Sequence, residues 1–203
     1  MDESQTKVQR SHDSLYLEEN RYEKPKEMFK WISSYAFNEK STNVNLEVTD
    51  FGCAAGEFLF YLNQTHPQLR LSGIDVLPKL IAKARFYNLS ATLKVGSVLD
   101  RYCVDQDSLD ISFLVGVHSI FDEFETCFSN LINWTREGGR VYVSGMFNPF
   151  PIDVLNKYKL ANNRESRVYE SGWNIFSQDS IGSYLNSNPK VKSFEFHKFQ
   201  IDI

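Results

Sequence analysis

Short apolar runs and helical apolar stripes take turns along the chain, and the switch in period predicts alternating strands and helices. Leu46, Val48 and Phe51 mark a first strand, and Phe58-Leu59-Phe60-Tyr61-Leu62 starts a helix behind it. Leu71 to Asp75 predicts a second strand, after which Pro78 opens a helix that turns Leu80, Ile81 and Ala84 inward. Thr92 to Asp100 holds a third strand and its exit loop. Leu109 to Val117 is a nearly continuous apolar run, as expected of a central parallel strand buried on both faces. A helix with Phe124, Cys127, Phe128 and Leu131 inward comes next. Arg136-Glu137-Gly138-Gly139 then turns the chain into a fifth strand, Arg140 to Ser144. Ahead of all these, Pro25 stands near the first turn of a helix whose Met28, Trp31, Ile32 and Tyr35 share a face.

After Ser144 the pattern loosens. Phe147-Asn148-Pro149-Phe150-Pro151 predicts a rigid loop and Ile152 to Leu160 a short helix. Glu165 to Phe176 is an aromatic-rich excursion longer than a tight connection needs. Ser177 is placed to cap a helix through Ile181, Tyr184 and Leu185. Val191 to Ile203 predicts a last strand whose apolar parity changes near His197-Lys198, where a bulge would reconcile Phe194 and Phe196 with Phe199, Ile201 and Ile203.

Composition narrows the class. A chain of 203 residues is enough for one domain with a core of its own. A net charge of -4 argues against a general nucleic-acid binder, which carries a basic surplus. Cys53, Cys103 and Cys127 are odd in number, far apart and without metal-ligand spacing, so they read as reduced thiols, and no metal is expected. No apolar stretch reaches the ~20 residues of a membrane span, and the polar N-terminus lacks the apolar centre of a signal peptide. A cytoplasmic protein is expected. Residues 1–14 are expected to be flexible, and 15–203 to form a single domain.

The chemistry-bearing stretch is Asp50-Phe51-Gly52-Cys53-Ala54-Ala55-Gly56-Glu57. A strand, a tight small-residue turn and a helix N-terminus let backbone approach a ligand and offer free amides to an anion. A dinucleotide fingerprint would need glycine at position 57, which is Glu. The D-x-G-x-A-x-G spacing instead resembles motif I of the class I S-adenosylmethionine-dependent methyltransferases. Asp75, closing the second strand, the third strand's Gly96-Ser97, and the Glu-Gly-Gly turn before the fifth strand extend the resemblance over roughly residues 25–145. It implies an α/β fold: a doubly wound, Rossmann-like, mostly parallel sheet with helices on both faces and an antiparallel edge strand. The family ends in a strand pair, of which only 191–203 is found here, so either an earlier segment supplies its partner or the chain is a fragment of a longer protein, the second being the expectation.

The resemblance also implies roles. S-adenosyl-L-methionine is the expected cofactor, with Asp50, Gly52, Cys53, Ala54, Gly56, Asp75, Val76, Ser97, Val98 and Val115 as its contacts. Asp75 matches the acid that grips both ribose hydroxyls. Ser97 departs from the pattern, because the family commonly has an acid there for the adenine amino group. The segment 15–37, with Tyr16 and Tyr22, corresponds to a lid, and 146–176 is expected to wall the acceptor pocket. Methyl transfer is an in-line displacement that rests on orientation, and an amine or hydroxyl acceptor needs a proton acceptor. His118, just past the fourth strand with Asp122 and Glu123 behind it, is the expected base. No Asn-Pro-Pro-Tyr type loop follows the fourth strand, and none of the redox-cysteine, phosphate-loop or metal spacings is present. The aromatic tail is compatible with a small-molecule or sugar-containing acceptor, and the Phe147-Asn148-Pro149 and Gly172-Trp173-Asn174 segments resemble those of methyltransferases found with bacterial polysaccharide biosynthesis. An NAD(P)-binding protein and a non-catalytic protein of the same fold are the alternatives.

Overall fold

The structure, a computed structural model, describes residues 15–37, 45–87, 90–161, 165 and 167–199. The N-terminal stretch 1–14 lies outside them. Glu47–Phe51 (β1), Arg70–Asp75 (β2), Thr92–Val95 (β3), Leu109–Val115 (β4) and Thr135–Ser144 (β5) form a five-stranded sheet of order β3-β2-β1-β4-β5. Every pairing in it is parallel. Leu15–Glu18 (α1), Glu27–Ala36 (α2), Glu57–Thr65 (α3), Pro78–Phe86 (α4), Glu125–Trp134 (α5) and Gln178–Ser187 (α6) are the helices.

Parallel strands need covering on both faces, and two apolar clusters do this. One joins Phe29 and Ile32 of α2, Phe58, Leu59 and Leu62 of α3 and Ile81 of α4 to Val48, Leu71 and Phe113 of the sheet. The other joins Phe124, Cys127, Phe128 and Leu131 from the α5 side and Ile181 of α6 to Phe51, Ile74 and Leu114. Phe51 and Trp134 stack at 4.8 Å within the second cluster. Because the chain winds outward from β1 in both directions, the crevice between the carboxyl ends of β1 and β4 is the switch point where such sheets bind ligands. Among the described residues no helix is long and apolar enough to cross a membrane.

Four predicted elements differ. The turn at 136–139 is a bulge inside β5: Thr135 already pairs with Leu109, Arg140 pairs with Ile111, and Gly138 takes φ 78° between them. Ile152 to Leu160 is not a helix, because its backbone groups are bonded sideways. Val154 bridges Ile175, and Lys157–Tyr158 (β7) pairs antiparallel with Glu170–Ser171 (β8). In the adjoining loop predicted at 147–151, Phe147–Asn148 (β6) pairs with Phe176–Ser177 (β9). Finally, residues 191–199 form no strand, and 200–203 lie outside the described residues. The aromatic rings of that segment pack on helix and loop instead, Phe196 at 5.9 Å from Phe147 and Phe199 at 5.2 Å from Trp31. Antiparallel pairing is therefore found in β7–β8, outside the main sheet. The helix predicted after Ser177 is α6, capped by the Ser177 hydroxyl accepting from the Ser180 N–H at 3.0 Å.

Candidate functional site

The small residues after β1 make a turn that only a few residue types tolerate. Gly52, Ala54 and Gly56 all take positive φ, at 73°, 47° and 80°. Gly52 is required twice over, because a Cβ there would also come within 2.3 Å of the Val117 side chain. The turn is held to the sheet by the Gly52 and Cys53 N–H groups, which both donate to the Ile74 carbonyl, at 2.7 and 3.1 Å. Gly56 is the N-cap of α3, so the first turn of that helix opens at the site.

Asp75 closes β2 and fastens this turn from the other side. One carboxylate oxygen accepts the Ala54 N–H and the other the Leu77 N–H, both at 2.9 Å. A carboxylate has about four acceptor positions, so it can take ligand hydroxyls in addition. Asp50 lies behind the turn, 3% exposed. Burial, and then the charge of Asp75, push its carboxyl well above the usual carboxylate range. Asp50 and Asp75 thus lie close enough for the charge of one to disfavour that of the other, and a cation arriving there would relieve both. Ser97 follows β3 and is brought beside Asp75 by strand register: Val95 pairs with Asp75 and the Gly96 N–H donates to its carbonyl. The Ser97 hydroxyl accepts the Leu99 N–H at 3.1 Å. Val76 is half-exposed directly after β2, and Val115 is half-buried at the end of β4.

Two of the expected cofactor contacts turn inward. The Cys53 thiol is buried toward Gly73, and burial, with Asp50 and Asp75 nearby, pushes it far up the scale, so it stays protonated. The Val98 side chain sits in the α5-side core, and its carbonyl accepts from the Asn130 amide at 2.8 Å. What either offers a ligand is backbone.

His118 begins a 3-10 turn, His118–Ile120, beyond β4. Its ring is fully buried, stacked at 4.9 Å on Phe147 and pressed against Gly145, where a Cβ would lie 2.1 Å away. Among the described residues neither ring nitrogen makes a full hydrogen bond, and the Met146 backbone beside the ring only partly offsets its burial. Burial pulls its pKa down to about 4, leaving the ring neutral. Asp122, three residues after the buried ring's neighbour Ser119, is exposed, and hydrogen bonds from Ser171, Lys157 and Asn174 hold it below the usual range.

The N-terminal segment reaches this turn. The buried Tyr22 hydroxyl donates to the Ala55 carbonyl at 2.7 Å, and the Arg21 N–H donates to Glu57 at 2.6 Å. Val117, which packs under Gly52, is a part of this site that the sequence pattern does not reveal. Nothing local marks Val117, whereas Asn174 stands in the aromatic-rich excursion that the sequence itself sets apart.

Residues 49–141 match the family model of a methyltransferase domain. The fold is similar to that in the complex of the Haloferax volcanii Trm112 methyltransferase activator with a protein assigned as a methyltransferase. That match has 16% identity and a TM-score of 0.62, covering 88% of this chain and 75% of that one. It is also similar to a protein of Galdieria sulphuraria assigned as a sarcosine dimethylglycine methyltransferase, at 14% identity and a TM-score of 0.54, over 68% of this chain and 51% of that one. A plantazolicin methyltransferase in complex with SAH matches at 17% identity and a TM-score of 0.52, over 64% and 50%. The chain therefore spans about three quarters of the length of the first of these and half of the other two. At such identities the likeness is one of fold. None of the curated proteins matches the chain.

Proposed function

We propose, on the match of residues 49–141 to a methyltransferase domain, that the chain is a methyltransferase of the class I, S-adenosylmethionine-dependent kind and that it transfers a methyl group to a small-molecule or glycan-type acceptor. The observation that carries the cofactor side is the shared hydrogen bonding of Ala54 and Leu77 amides on Asp75, with buried Asp50 behind it. Asp75 would take the ribose hydroxyls. The free amides at the start of α3 suit a carboxylate, and an ammonium or sulfonium charge arriving near Asp50 would offset the burial and the Asp75 charge that otherwise disfavour its ionised form. Val76 and Ser97, with the backbone at Val98, would border the base, and Val115 the reacting end. When bound, the cofactor supplies an electrophilic methyl group. What this chain's residues contribute is orientation and exclusion of water.

His118 is the proposed proton acceptor, under one condition. With its ring stacked on Phe147 and closed off by Gly145, an acceptor reaches it only if that strand end moves. The same burial favours a second reading, in which His118 is a packing post beneath the acceptor loop. Replacing it separates the two, since a base leaves cofactor binding intact and lowers kcat with a changed pH profile. The proposal sets the reaction in the cytoplasm, where the three unpaired thiols stay reduced.

Calorimetry with S-adenosylhomocysteine tests the cofactor reading. A site filled at ~100 times its dissociation constant adds ~2.7 kcal/mol of stability, which for a chain of this size raises Tm by roughly 5–11 °C. NADH should give neither heat nor a shift. The opposite pattern would replace the proposal with a dinucleotide-binding one, and no response to either would favour a non-catalytic protein.

A further inference from the structure

His118 is fully buried, yet little protein covers it. Gly145, Met146 and Phe147 pass over its ring, and Gly145 and Met146 are themselves exposed, the latter by 56%. The cover is thus one chain thick. It is also lightly held, since β5 ends at Ser144 and the next ladder, β6 on β9, is two residues long. A buried ring whose nitrogens make no full hydrogen bond among the described residues works against the closed arrangement. Packing alone would be served as well by an apolar side chain. An imidazole, by contrast, gains from any movement that lets water or a ligand reach it.

The segment after α6 keeps this cover down. Phe196 meets Phe147 edge-on at 5.9 Å and 68°, and Phe147 in turn stacks on His118 at 4.9 Å. Phe196 is 36% exposed, so it stands on the solvent side of that stack. Among the described residues, 192–199 make no backbone–backbone hydrogen bond. Rings hold the segment instead. Phe194 lies over Gly182 of α6, 3.5 Å from where a Cβ would be, His197 packs on Tyr35 at 4.5 Å and Phe199 on Trp31 at 5.2 Å. The segment therefore runs from α6 to α2 and crosses Phe147 on the way. A stretch held by a few rings and no ladder opens locally without unfolding the sheet. Phe194 and Phe196 also line an open groove of about 460 Å³ with Pro149, Pro151 and Gly182, so they have room to swing away from Phe147.

We propose that residues 145–147 are a gate over His118 and that Phe196, carried by the segment 194–199, is its latch. Latched, the gate shuts the ring off; released, it lets the ring meet an acceptor. The gate takes its purpose from the proposed methyl transfer, but its opening is measurable without that reaction. Diethyl pyrocarbonate acylates any neutral imidazole that it reaches, and peptide mass spectrometry of the treated full chain reads the rate at each histidine. In the wild type, His118 should react far more slowly than the exposed His197. Phe196→Ala should speed the reaction at His118 by about tenfold or more, and Phe196→Leu by less. His66, which is bonded to Ser33 and packed on Phe37, should keep its rate, and S-adenosylhomocysteine heats should not change. Equal His118 rates in the wild type and Phe196→Ala would overturn the proposal, as would a wild-type His118 as reactive as His197. A His66 rate rising in step with that of His118 would overturn it too, because the whole domain would then have loosened. If Phe196→Ala fails to fold, Phe196→Leu and Phe194→Ala decide by the same rates. A His118 rate that follows Phe196 in a chain giving no heat with S-adenosylhomocysteine would keep the latch and sink the methyl-transfer reading instead.

Discussion

Asp75 shows how one side chain can serve fold and ligand together. Its two oxygens already anchor the amides of Ala54 and Leu77, so Asp75→Ala should act twice. Cofactor affinity should fall by ~1–3 kcal/mol for the lost hydroxyl bonds, seen by calorimetry, and Tm should drop because two amides lose their acceptor. His118 is a residue whose burial the sequence did not disclose: its position after β4 was legible, but its enclosure depends on Gly145 and Phe147, far along the chain. That enclosure has a pH signature. An imidazole shifted from 6.5 down to about 4 binds fewer protons folded than unfolded, so stability is full above pH ~6.5 and falls as pH drops toward 4. The loss reaches ~3 kcal/mol at most. Asp50 works the other way, since its raised carboxyl favours the folded state in acid and that benefit fades as pH rises through the raised value. Comparing urea unfolding of the wild type with His118→Leu at pH 7 and pH 4.5 isolates the histidine. The variant should be less sensitive to acid, and equal sensitivity would show that the ring is not buried neutral.

At the scale of elements, sequence pattern was informative wherever an element's partners lie across a buried sheet. β1, β2 and β4 carry enough apolar and β-branched residues to be strands in any register, and α3 to α5 present stripes that must be covered. It was uninformative at Ile152 to Leu160, where a stripe with helical spacing is outweighed by pairing with Glu170–Ser171 and Ile175, residues more than ten positions away. Val191 to Phe199 fails for the related reason that its aromatic rings bind other rings and leave the backbone unpaired in any ladder. Close approach between elements is the sharper test. A Cβ on Gly73 of β2 would meet Leu59 of α3 at 2.5 Å, Leu93 of β3 at 2.8 Å and the Cys53 sulfur at 2.9 Å. Gly73→Ala should therefore push α3 off the sheet and cost ~1–3 kcal/mol, read as a lower urea midpoint with unchanged m-value. The shift would carry into the Cys53 turn, so S-adenosylhomocysteine should also bind more weakly.

For the whole molecule, the turn after β1 is enclosed from the sheet below and by the N-terminal segment from the side. Lys83 of α4 donates to the carbonyls of Leu17 and Glu19 at 2.8 and 2.5 Å, Glu57 takes the Arg21 N–H, and Tyr22 reaches Ala55 while stacking on Tyr87 at 3.6 Å. The segment read as a lid from sequence is thus tied to the two helices that begin where β1 and β2 end. A ligand that orders the turn should then order the segment through the same bonds. Burial, with Glu57 and Tyr87 nearby, pushes the Tyr22 phenol far up, so it remains a donor at any working pH. Tyr22→Phe keeps the stack and removes only the bond to the Ala55 carbonyl, leaving a buried acceptor short of a partner at a cost of ~1–3 kcal/mol. Hydrogen exchange with and without S-adenosylhomocysteine distinguishes coupling from coincidence. In the wild type the cofactor product should slow amides both at 53–57 and at 16–22. In Tyr22→Phe the first group should still respond and the second much less, because the link between them has been cut. Equal protection of 16–22 in both proteins would mean that the segment rests on the helices independently of the site and does not close over it.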